Sequence, residues 1–289
     1  MPLTERLGNA AHALRLVTPG RDPMARTLAW YALCSSLFED LCGGSGLLNF
    51  GLADPDGDVD LAEAQRALVR RVVSPLPHRG RWLDSGCGVG GPATLAAAEN
   101  PVDVVGLNLS QPQLSACAAR AHDRLRFEHG DAQEMPFEAD SFDGVYAIES
   151  AIYYPDRARF VSEVARVLRP GGVFSLGDIV RRPGTGGLRL TLGYETARWL
   201  YAWPDPWSAA DWQVALERNG FQDVAVEDLT ARTLGLAPRW AERLAQIRPQ
   251  VERRYPPGTW RAASLLVDQL GRRLDELPLG FVHLTAVRP

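Results

Sequence analysis

The chain has 289 residues with a formal net charge of −4, and at about 150 residues per domain this length suits two domains or one enlarged α/β domain. The negative charge provides no overall positive field, so nucleic acid and anionic membranes are not expected partners. Every basic residue is an arginine, which excludes enzymes that need a Walker lysine, a Schiff base or a pyridoxal anchor.

The N-terminal part of the chain, residues 1–57, is predicted to be a partly helical extension. A first clear helix follows, with apolar residues at steps of three and four from Leu61 to Val72. Asp58 or Asp60 is the expected N-cap, because a short acidic side chain can accept a hydrogen bond from the first turn. This helix leads directly into the first predicted strand.

Residues 81–180 alternate strand-like apolar runs with helical patterns, which is typical of parallel βαβ units. Helices are predicted over Leu114–Ala121 and Phe160–Val167, and Pro170-Gly171-Gly172 is expected to stop the second. The predicted strands are Arg81–Asp84, Val102–Leu107, Leu125–Glu128, Gly144–Ile148 and Val173–Leu176. The sheet is therefore expected to carry helices on both faces, within a core that spans residues 58–180.

Arg181–Trp207 loses clear periodicity, which is typical of a lid or an insertion, and residues 181–220 are predicted to form a lid that binds the acceptor. The aromatic residues in this stretch are Tyr194, Trp199, Tyr201, Trp203 and Trp207. Near its end, Ser208-x-x-Asp211 predicts the start of a helix that closes at Gly220.

Residues 221–289 are predicted to complete the core sheet. Val224–Val226 resembles a sixth strand, a long helical region follows, and Phe281–Val287 makes a last strand. The chain shows no internal repeat and no low-complexity tract.

Four cysteines are too few and too irregularly spaced for a disulfide framework or a zinc ribbon. The five histidines include no HExxH pair, so no metal site is predicted. No segment approaches roughly 18 consecutive apolar residues, and the first residues lack a secretory signal pattern. These features predict a cytoplasmic protein with reduced thiols and no membrane span.

The strongest motif is Leu83-Asp84-Ser85-Gly86-Cys87-Gly88-Val89-Gly90-Gly91, at the turn from the first strand into a helix. Glycines there allow a tight turn and a close approach of ligand to backbone. The motif also satisfies GxGxxG, so a nicotinamide or flavin dinucleotide must be considered. Asp84 disfavours a dinucleotide, because a pyrophosphate needs a helix N-terminus without nearby anions. S-adenosylmethionine (SAM) carries a net positive charge and suits an acidic strand end.

Four ordered segments resemble the class I SAM-dependent methyltransferases, and particularly the small-molecule group of sugar and macrolide O-methyltransferases and sterol, tocopherol and prenyl C-methyltransferases. The segments are LDSGCGVGG, VVGLNLSQPQ, HGDAQEMPFEADSFDGVYAIES and EVARVLRPGGVF. The resemblance covers about residues 45–230. It implies a doubly wound α/β fold, Rossmann-like, with a seven-stranded mixed sheet whose last strand is antiparallel, and SAM at the carboxyl ends of the parallel strands.

The resemblance also implies which residues hold the methionine part of SAM. Asp84, Gly86 and Gly88 would surround it, and Glu149 with Ser150 would line the same side. A solvated strand end is the alternative interpretation of the Glu149-Ser150 pair.

For the ribose and the adenine, the resemblance implies a second group of residues. Asn108, Leu109 and Gln113 would meet the ribose, Asp131 would accept from the adenine amino group, and the Ala132 amide would face a ring nitrogen. Two structural alternatives stay open. Gln113 could complete a capping box with the serine three residues before it, and Asp131 could belong to a plain turn.

The chain departs from the family pattern after Glu149. Many relatives place a histidine a few residues further on as general base, and here Tyr153 occupies that position. A tyrosine, with an ordinary pKa of about 10, is a poor base at neutral pH, but it can orient an acceptor or stabilise a cation with its ring. Tyr153 is therefore the candidate catalytic residue, with packing beneath the lid as the alternative and His129 or water as other proton acceptors.

The resemblance implies direct methyl transfer to oxygen or carbon, without a metal. Aromatic residues favour a large apolar or aromatic small-molecule acceptor, and these are Trp30, Tyr31, Phe50, Tyr194, Trp199, Trp203 and Trp207, although any of them could be ordinary core. Arginine in place of lysine is typical of GC-rich bacteria, and the expected setting is bacterial specialised metabolism. Two alternatives are a SAM-binding cyclase or pericyclase of the same fold and a dinucleotide-dependent oxidoreductase. A homodimer is left open.

Overall fold

The computed structural model describes residues 23–183, 194–195, 198–199, 202–261, 263–264 and 277–289. Its strands are β1 (Arg81–Ser85), β2 (Asp103–Asn108), β3 (Leu125–His129), β4 (Phe142–Ile148), β5 (Leu168–Arg181), β6 (Gln222–Asp228) and β7 (Leu279–Val287). They form a seven-stranded sheet in the order β3-β2-β1-β4-β5-β7-β6. The strand β7 is antiparallel to both neighbours, whereas β1 to β5 pair in parallel. The predicted fold class is confirmed.

Helices cover both faces of the sheet and its carboxyl edge. They are α1 (Pro23–Leu41), α2 (Leu61–Val73), α3 (Gly91–Glu99), α4 (Gln111–Cys117), α5 (Arg157–Val167), α6 (Ala209–Arg218), α7 (Thr230–Thr233), α8 (Ala237–Gln246) and α9 (Arg248–Arg254). Within the described part of the chain, no helix is long and apolar enough to cross a membrane.

The helix boundaries follow local capping chemistry. Asp60, rather than Asp58, caps α2, since its carboxylate accepts the Ala62 N–H at 2.9 Å. At the start of α6, Ser208 and Asp211 form the predicted capping box. Each such cap typically stabilises a helix by about 1 kcal/mol, because it satisfies a backbone N–H that has no partner within the helix.

The predicted start of the fifth strand is wrong. The helix α5 ends at Val167, as predicted, but β5 begins at Leu168 rather than Val173, so Pro170-Gly171-Gly172 belongs to the strand. The pairing of β4 with β5 shifts in register there, and the Gly171 N–H donates to the Arg288 carbonyl at 2.7 Å. Gly171 has a φ of 78°, so the sequence pattern that normally ends a helix here forms an irregular strand start instead.

The hydrophobic core is split by the sheet. In β1, Trp82 packs with Leu68 and Ala96 on the face covered by α2 and α3, and Leu83 packs with Phe160 on the opposite face. Alternate residues point to opposite faces of a strand, so a strand buried on both sides carries apolar side chains on both of its faces. Burial of each large apolar side chain stabilises the fold by about 1.5–3 kcal/mol.

A third apolar cluster lies beyond the sheet. It joins Leu41 of α1 to Trp240 and Leu244 of α8 and to Val251 of α9. The helix α1 lies near the start of the chain, whereas α8 and α9 lie near its end. Together they cover the edge of the sheet where the parallel strands end. The predicted lid is described only in part, and Tyr201 and the side chain of Trp30 lie outside the described residues.

Candidate active site

Two adjoining cavities, of about 180 Å³ and about 60 Å³, lie at the carboxyl ends of β1, β2 and β4. They are called here the larger cavity and the smaller cavity. Six residues line both: Tyr31, Gly86, Gly88, Gln113, Ser150 and Tyr153. The two cavities therefore form one continuous site.

All eleven residues predicted from the sequence line this site. Asp84 and Glu149 line the larger cavity, and the smaller cavity is lined by Asn108, Leu109, Asp131 and Ala132. The remaining five, Gly86, Gly88, Gln113, Ser150 and Tyr153, line both. Strand ends far apart in the sequence thus converge, because the carboxyl ends of parallel strands share one edge of the sheet.

The glycine-rich turn after β1 combines close packing with open space. A Cβ atom on Gly86 would lie 2.5 Å from the Ser150 Cβ and 2.7 Å from the Tyr154 hydroxyl, so only glycine fits there. A Cβ atom on Gly88 would meet nothing within 4 Å, although its φ of 56° also favours glycine. The turn is thus held against β4 on one side and leaves room for a ligand on the other.

Asp84 places a carboxyl group in the larger cavity without a compensating cation. The residue is 1% exposed, and its Oδ2 atom has no hydrogen-bond partner among the described residues. Burial raises the pKa of the Asp84 carboxyl to about 7. A ligand that carries positive charge would stabilise the ionised carboxylate.

Glu149 is a second buried acid at the end of β4. Its φ of 50° is unusual for a residue with a side chain, and such strain is concentrated at functional sites. The Oε1 atom accepts the Phe50 N–H at 2.8 Å. Burial raises the pKa of the Glu149 carboxyl well above its usual range, and the Phe50 N–H offsets this only in part.

The side chains of Asn108 and Gln113, both predicted to meet the ribose, hydrogen-bond to each other. Asn108 Nδ2 donates to the Gly88 carbonyl and to Gln113 Oε1, both at 2.9 Å, and its Oδ1 accepts the Ser110 N–H at 3.0 Å. Gln113 Nε2 donates to Ser35 Oγ of α1 at 3.0 Å. These bonds tie the glycine-rich turn to β2, α4 and α1. They leave the Asn108 amide no unused N–H for a ribose.

The capping-box alternative for Gln113 is wrong. Ser110 is the N-cap of α4, but its side chain makes no capping hydrogen bond. Gln113 points into the site instead, because its amide is held between Asn108 and Ser35.

In the smaller cavity, Gln133 holds the carboxylate of Asp131, the residue predicted to accept from the adenine amino group. Asp131 Oδ1 accepts the Gln133 N–H at 2.8 Å and Gln133 Nε2 at 3.0 Å. Gln133 Oε1 in turn accepts the Asp156 N–H at 2.7 Å. Sequence reasoning missed Gln133, for which an Asp-x-Gln turn was the available signal. Gln133 thus connects Asp131 in the smaller cavity to Asp156 at the start of α5.

Tyr153 lies where both cavities meet, in the 3-10 turn Ala151–Tyr153. Its ring centroid is 4.9 Å from that of Tyr31, and the Tyr31 hydroxyl and the Trp203 indole adjoin its own hydroxyl. Burial outweighs both groups and raises the pKa of Tyr153 well above its usual range. Tyr153 therefore stays protonated at neutral pH, where it can donate a hydrogen bond but cannot act as a base.

No histidine or arginine is found among the described residues that line the two cavities. His129, the other proton acceptor considered from the sequence, is exposed, and its Nε2 lies 3.1 Å from the Leu109 carbonyl. Among the described lining residues, only Asp84, Asp131 and Glu149 carry carboxyl groups. This charge pattern fits a ligand with net positive charge and disfavours a pyrophosphate.

Beyond Tyr153, most of the wall of the larger cavity is apolar. Its apolar part includes Leu37, Leu41, Leu48, Ala237, Trp240, Leu244 and Ala263. The Trp240 indole N–H donates to the Phe50 carbonyl at 2.9 Å, so this polar group is already satisfied. The contribution of α8 was not predicted, since its sequence has no motif beyond helical periodicity.

The predicted aromatic residues divide into two groups. Tyr31, Phe50 and Trp203 line the larger cavity. Tyr194 is buried elsewhere and donates to Asp205, whereas Trp207 packs on Trp212 with ring centroids 5.0 Å apart. The side chain of Trp199 is 50% exposed.

A family model described as a methyltransferase domain matches residues 83–176 of the chain. The 27-O-demethylrifamycin SV methyltransferase of Amycolatopsis mediterranei (strain S699) is 34% identical over 268 residues, which are 90% of this chain and 95% of that protein. The chain belongs to the SAM-dependent methyltransferases. This methyltransferase therefore uses SAM as its methyl donor. The acid-lined site, whose described lining residues include no arginine or histidine, fits a cofactor of net positive charge.

Two further similarities extend the comparison. The erythromycin 3''-O-methyltransferase of Saccharopolyspora erythraea is 32% identical over 57% of this chain and 57% of that protein. The crystal structure of the [4+2]-cyclase SpnF superimposes with a TM-score of 0.76 and 27% identity, covering 90% of this chain and 93% of that chain. The methyltransferase thus shares its fold with proteins of different activities.

Proposed function

We propose that this methyltransferase transfers a methyl group to an oxygen or carbon atom of a large, uncharged and largely apolar small molecule, as a cytoplasmic enzyme of bacterial specialised metabolism. The observation that carries the proposal is the joining of an apolar cavity, walled by α1 and α8, to an acid-lined cofactor region. A charged acceptor would find no opposite charge on that apolar wall, and its desolvation would cost several kcal/mol.

For the cofactor, we assign the methionine part to the glycine-rich turn with Asp84 and Glu149, and the adenosine to the smaller cavity. Bound SAM supplies a methyl group that is already activated. Asp131 and the Ala132 amide then hold the adenine edge, while Asn108 and Gln113 shape the ribose region through their contacts with each other. The protein contributes mainly orientation and exclusion of water.

An acceptor hydroxyl must lose its proton on methylation, and Glu149 is the proposed proton acceptor. Tyr153 stays protonated, and no histidine is found among the described lining residues. Burial raises the pKa of the Glu149 carboxyl, so it can accept a proton only where a neighbouring positive charge, such as that of bound SAM, keeps it ionised.

The similarity to SpnF supports a second candidate function, cyclisation of an apolar substrate in the same cavity without methyl transfer. A cyclase would need the shape of the larger cavity but no proton acceptor, which is compatible with a histidine position occupied by Tyr153.

The decisive experiment incubates the purified protein with SAM and a panel of acceptors. The panel contains 27-O-demethylrifamycin SV, a demethylated macrolide and, as a charged control, dopamine. We expect a mass gain of one methyl group and matching formation of S-adenosylhomocysteine with an apolar acceptor, and neither with dopamine. Preferred methylation of dopamine would overturn the apolar assignment. An isomerised product of unchanged mass, formed without consumption of SAM, would establish the cyclase instead.

A further inference from the structure

The turn Ala151–Tyr153 is held from two sides by buried charged residues. Asp178 Oδ2 accepts the Ile152 N–H at 2.9 Å. On the other side, Arg157 Nε donates to the Ala151 carbonyl at 2.9 Å, and its Nη2 donates to the Ile152 carbonyl at 2.6 Å. The conformation of the turn, and with it the position of Tyr153, is therefore set by these side chains.

The same guanidinium makes a third bond, to a different part of the chain. Arg157 Nη1 donates to the Asp205 carbonyl at 3.0 Å. Asp205 belongs to the segment 202–207, which also carries Trp203 into the wall of the larger cavity. One side chain thus joins the two segments whose aromatic residues, Tyr153 and Trp203, adjoin each other at the cavity.

Arg157 is unusually placed for a charged residue. It is 3% exposed, and burial lowers the pKa of its guanidinium to about 10, so it remains charged at neutral pH. A buried charge is costly unless all its polar atoms are used. Here the planar fork of N–H groups is directed at three backbone carbonyls, a geometry that a lysine ammonium cannot reproduce.

We infer that Arg157 is a positioning residue for the acceptor: it sets the separation of Tyr153 and Trp203, and thereby the shape of the larger cavity beside the cofactor region. This inference rests on the proposed function, because it takes the larger cavity as the acceptor site. Arg157 lines neither cavity itself and acts through the two segments that it joins.

The test compares Arg157→Lys with Arg159→Lys. Arg159 lies in the same helix, and its side chain is 55% exposed and paired only with Glu134 at the surface. A third variant, Arg157→Gln, removes the buried charge. The direct hydrogen-bond partners of Arg157 are carbonyl groups, and the nearby Asp178 carboxyl, which loses a favourable positive charge, keeps its bonds from the Ile152 and Ile179 N–H groups. Thermal unfolding of each variant verifies that it folds.

Two readouts separate positioning from a general loss of structure. The first is acceptor turnover: kcat/KM for the acceptor should fall about 100-fold in both Arg157 variants, as expected for a misplaced reaction partner, while S-adenosylhomocysteine affinity by calorimetry stays at the wild-type level. The second is the emission of Trp203, taken as the difference between each protein and its Trp203→Phe derivative. This emission should shift to longer wavelength in the Arg157 variants and stay unchanged in Arg159→Lys.

The emission readout needs no acceptor, so it remains informative if the proposed function fails. An unshifted Trp203 emission in folded Arg157→Lys and Arg157→Gln proteins would overturn the inference whatever the activity. A shifted emission with wild-type kcat/KM for a methylated acceptor would also overturn it, because the two segments would then move without consequence for the acceptor.

Discussion

The smaller and larger cavities differ in how the chain builds them. The smaller cavity is made mostly of strand ends and the loops that directly follow them, which is where the recognisable motifs lie. The larger cavity is walled by α1, α8 and the segment 202–207, which come from distant parts of the chain and carry ordinary apolar side chains. The proposed cofactor region thus depends mostly on motifs that are local in sequence, whereas the proposed acceptor region depends on tertiary packing.

The largest effect on cofactor binding is expected from one added carbon atom in the glycine-rich turn. Gly86→Ala places a Cβ 2.5 Å from the Ser150 Cβ at a φ of 78°, so the turn must move and binding of S-adenosylhomocysteine should be lost. Overpacking of this kind typically costs about 1–3 kcal/mol beyond the backbone strain. Calorimetry measures the affinity, and urea unfolding measures the stability.

Gly171→Ala is the matched control for Gly86→Ala. Gly171 has the same φ of 78°, but a Cβ there meets nothing within 4 Å. This variant should lose only about 1–2 kcal/mol through backbone strain and keep wild-type cofactor affinity. Equal loss of affinity in both variants would contradict the role assigned to the contact with β4.

A second prediction concerns the buried acid of the larger cavity. Asp84 keeps its proton in the folded protein up to about pH 7, whereas in the unfolded chain it ionises near its ordinary pKa of 3.8. The folded state therefore binds the extra proton in this window, and the free energy of unfolding of the cofactor-free protein falls as pH rises from about 4 to about 7, by about 4 kcal/mol for this group.

Asp84→Asn should remove this part of the pH dependence, as measured by urea unfolding across the window. Asp178, whose pKa burial also raises to about 7, continues to contribute, so the dependence should be reduced rather than abolished. Asp103→Asn, at an exposed position at the start of β2, is the control. An unchanged pH dependence in Asp84→Asn would show that this carboxyl is ionised in the folded protein.

A third prediction addresses the smaller cavity. Asp131→Ala removes the carboxylate proposed to accept from the adenine amino group and should weaken S-adenosylhomocysteine binding by about 2 kcal/mol, or roughly 30-fold. Glu134→Ala, in the same loop but exposed, should bind as the wild type does. Wild-type affinity of the Asp131 variant by calorimetry would remove the adenine assignment.

The smallest predicted effect is that of Tyr153→Phe. Loss of a hydroxyl that can donate to the acceptor should lower kcat by about 5- to 10-fold, consistent with one hydrogen bond of about 1 kcal/mol. Cofactor affinity should not change. Tyr255→Phe, whose hydroxyl bonds Asp40 at 2.7 Å outside the site, is the control. A wild-type kcat in Tyr153→Phe would show that the hydroxyl does not act on the acceptor and that the side chain has only a packing role.

Much of the fold was predictable because its signals are local. Every proposed strand is found. The strand β2 begins one residue later than predicted, and the other bounds match the prediction or extend it by up to five residues. Periodicity together with capping residues placed α2 and α6. The largest difference is at Pro170-Gly171-Gly172, where the Gly171 N–H bonds the carbonyl of Arg288, just beyond β7, and the three residues belong to a strand. A partner more than a hundred residues away cannot be read from the local pattern.

By itself, the sequence determined the βαβ core, the glycine-rich turn and the acids that follow the strands, because each depends on neighbouring residues and on the strand ends sharing one edge. Only the tertiary structure decided what those acids and amides contact. It joined Asn108 to Gln113 and Gln113 to α1, and it drew Tyr153 and Trp203 together through Arg157. The part of the larger cavity that α8 forms was beyond prediction for the same reason: its apolar residues show by their periodicity that they are buried but not which helix they will face.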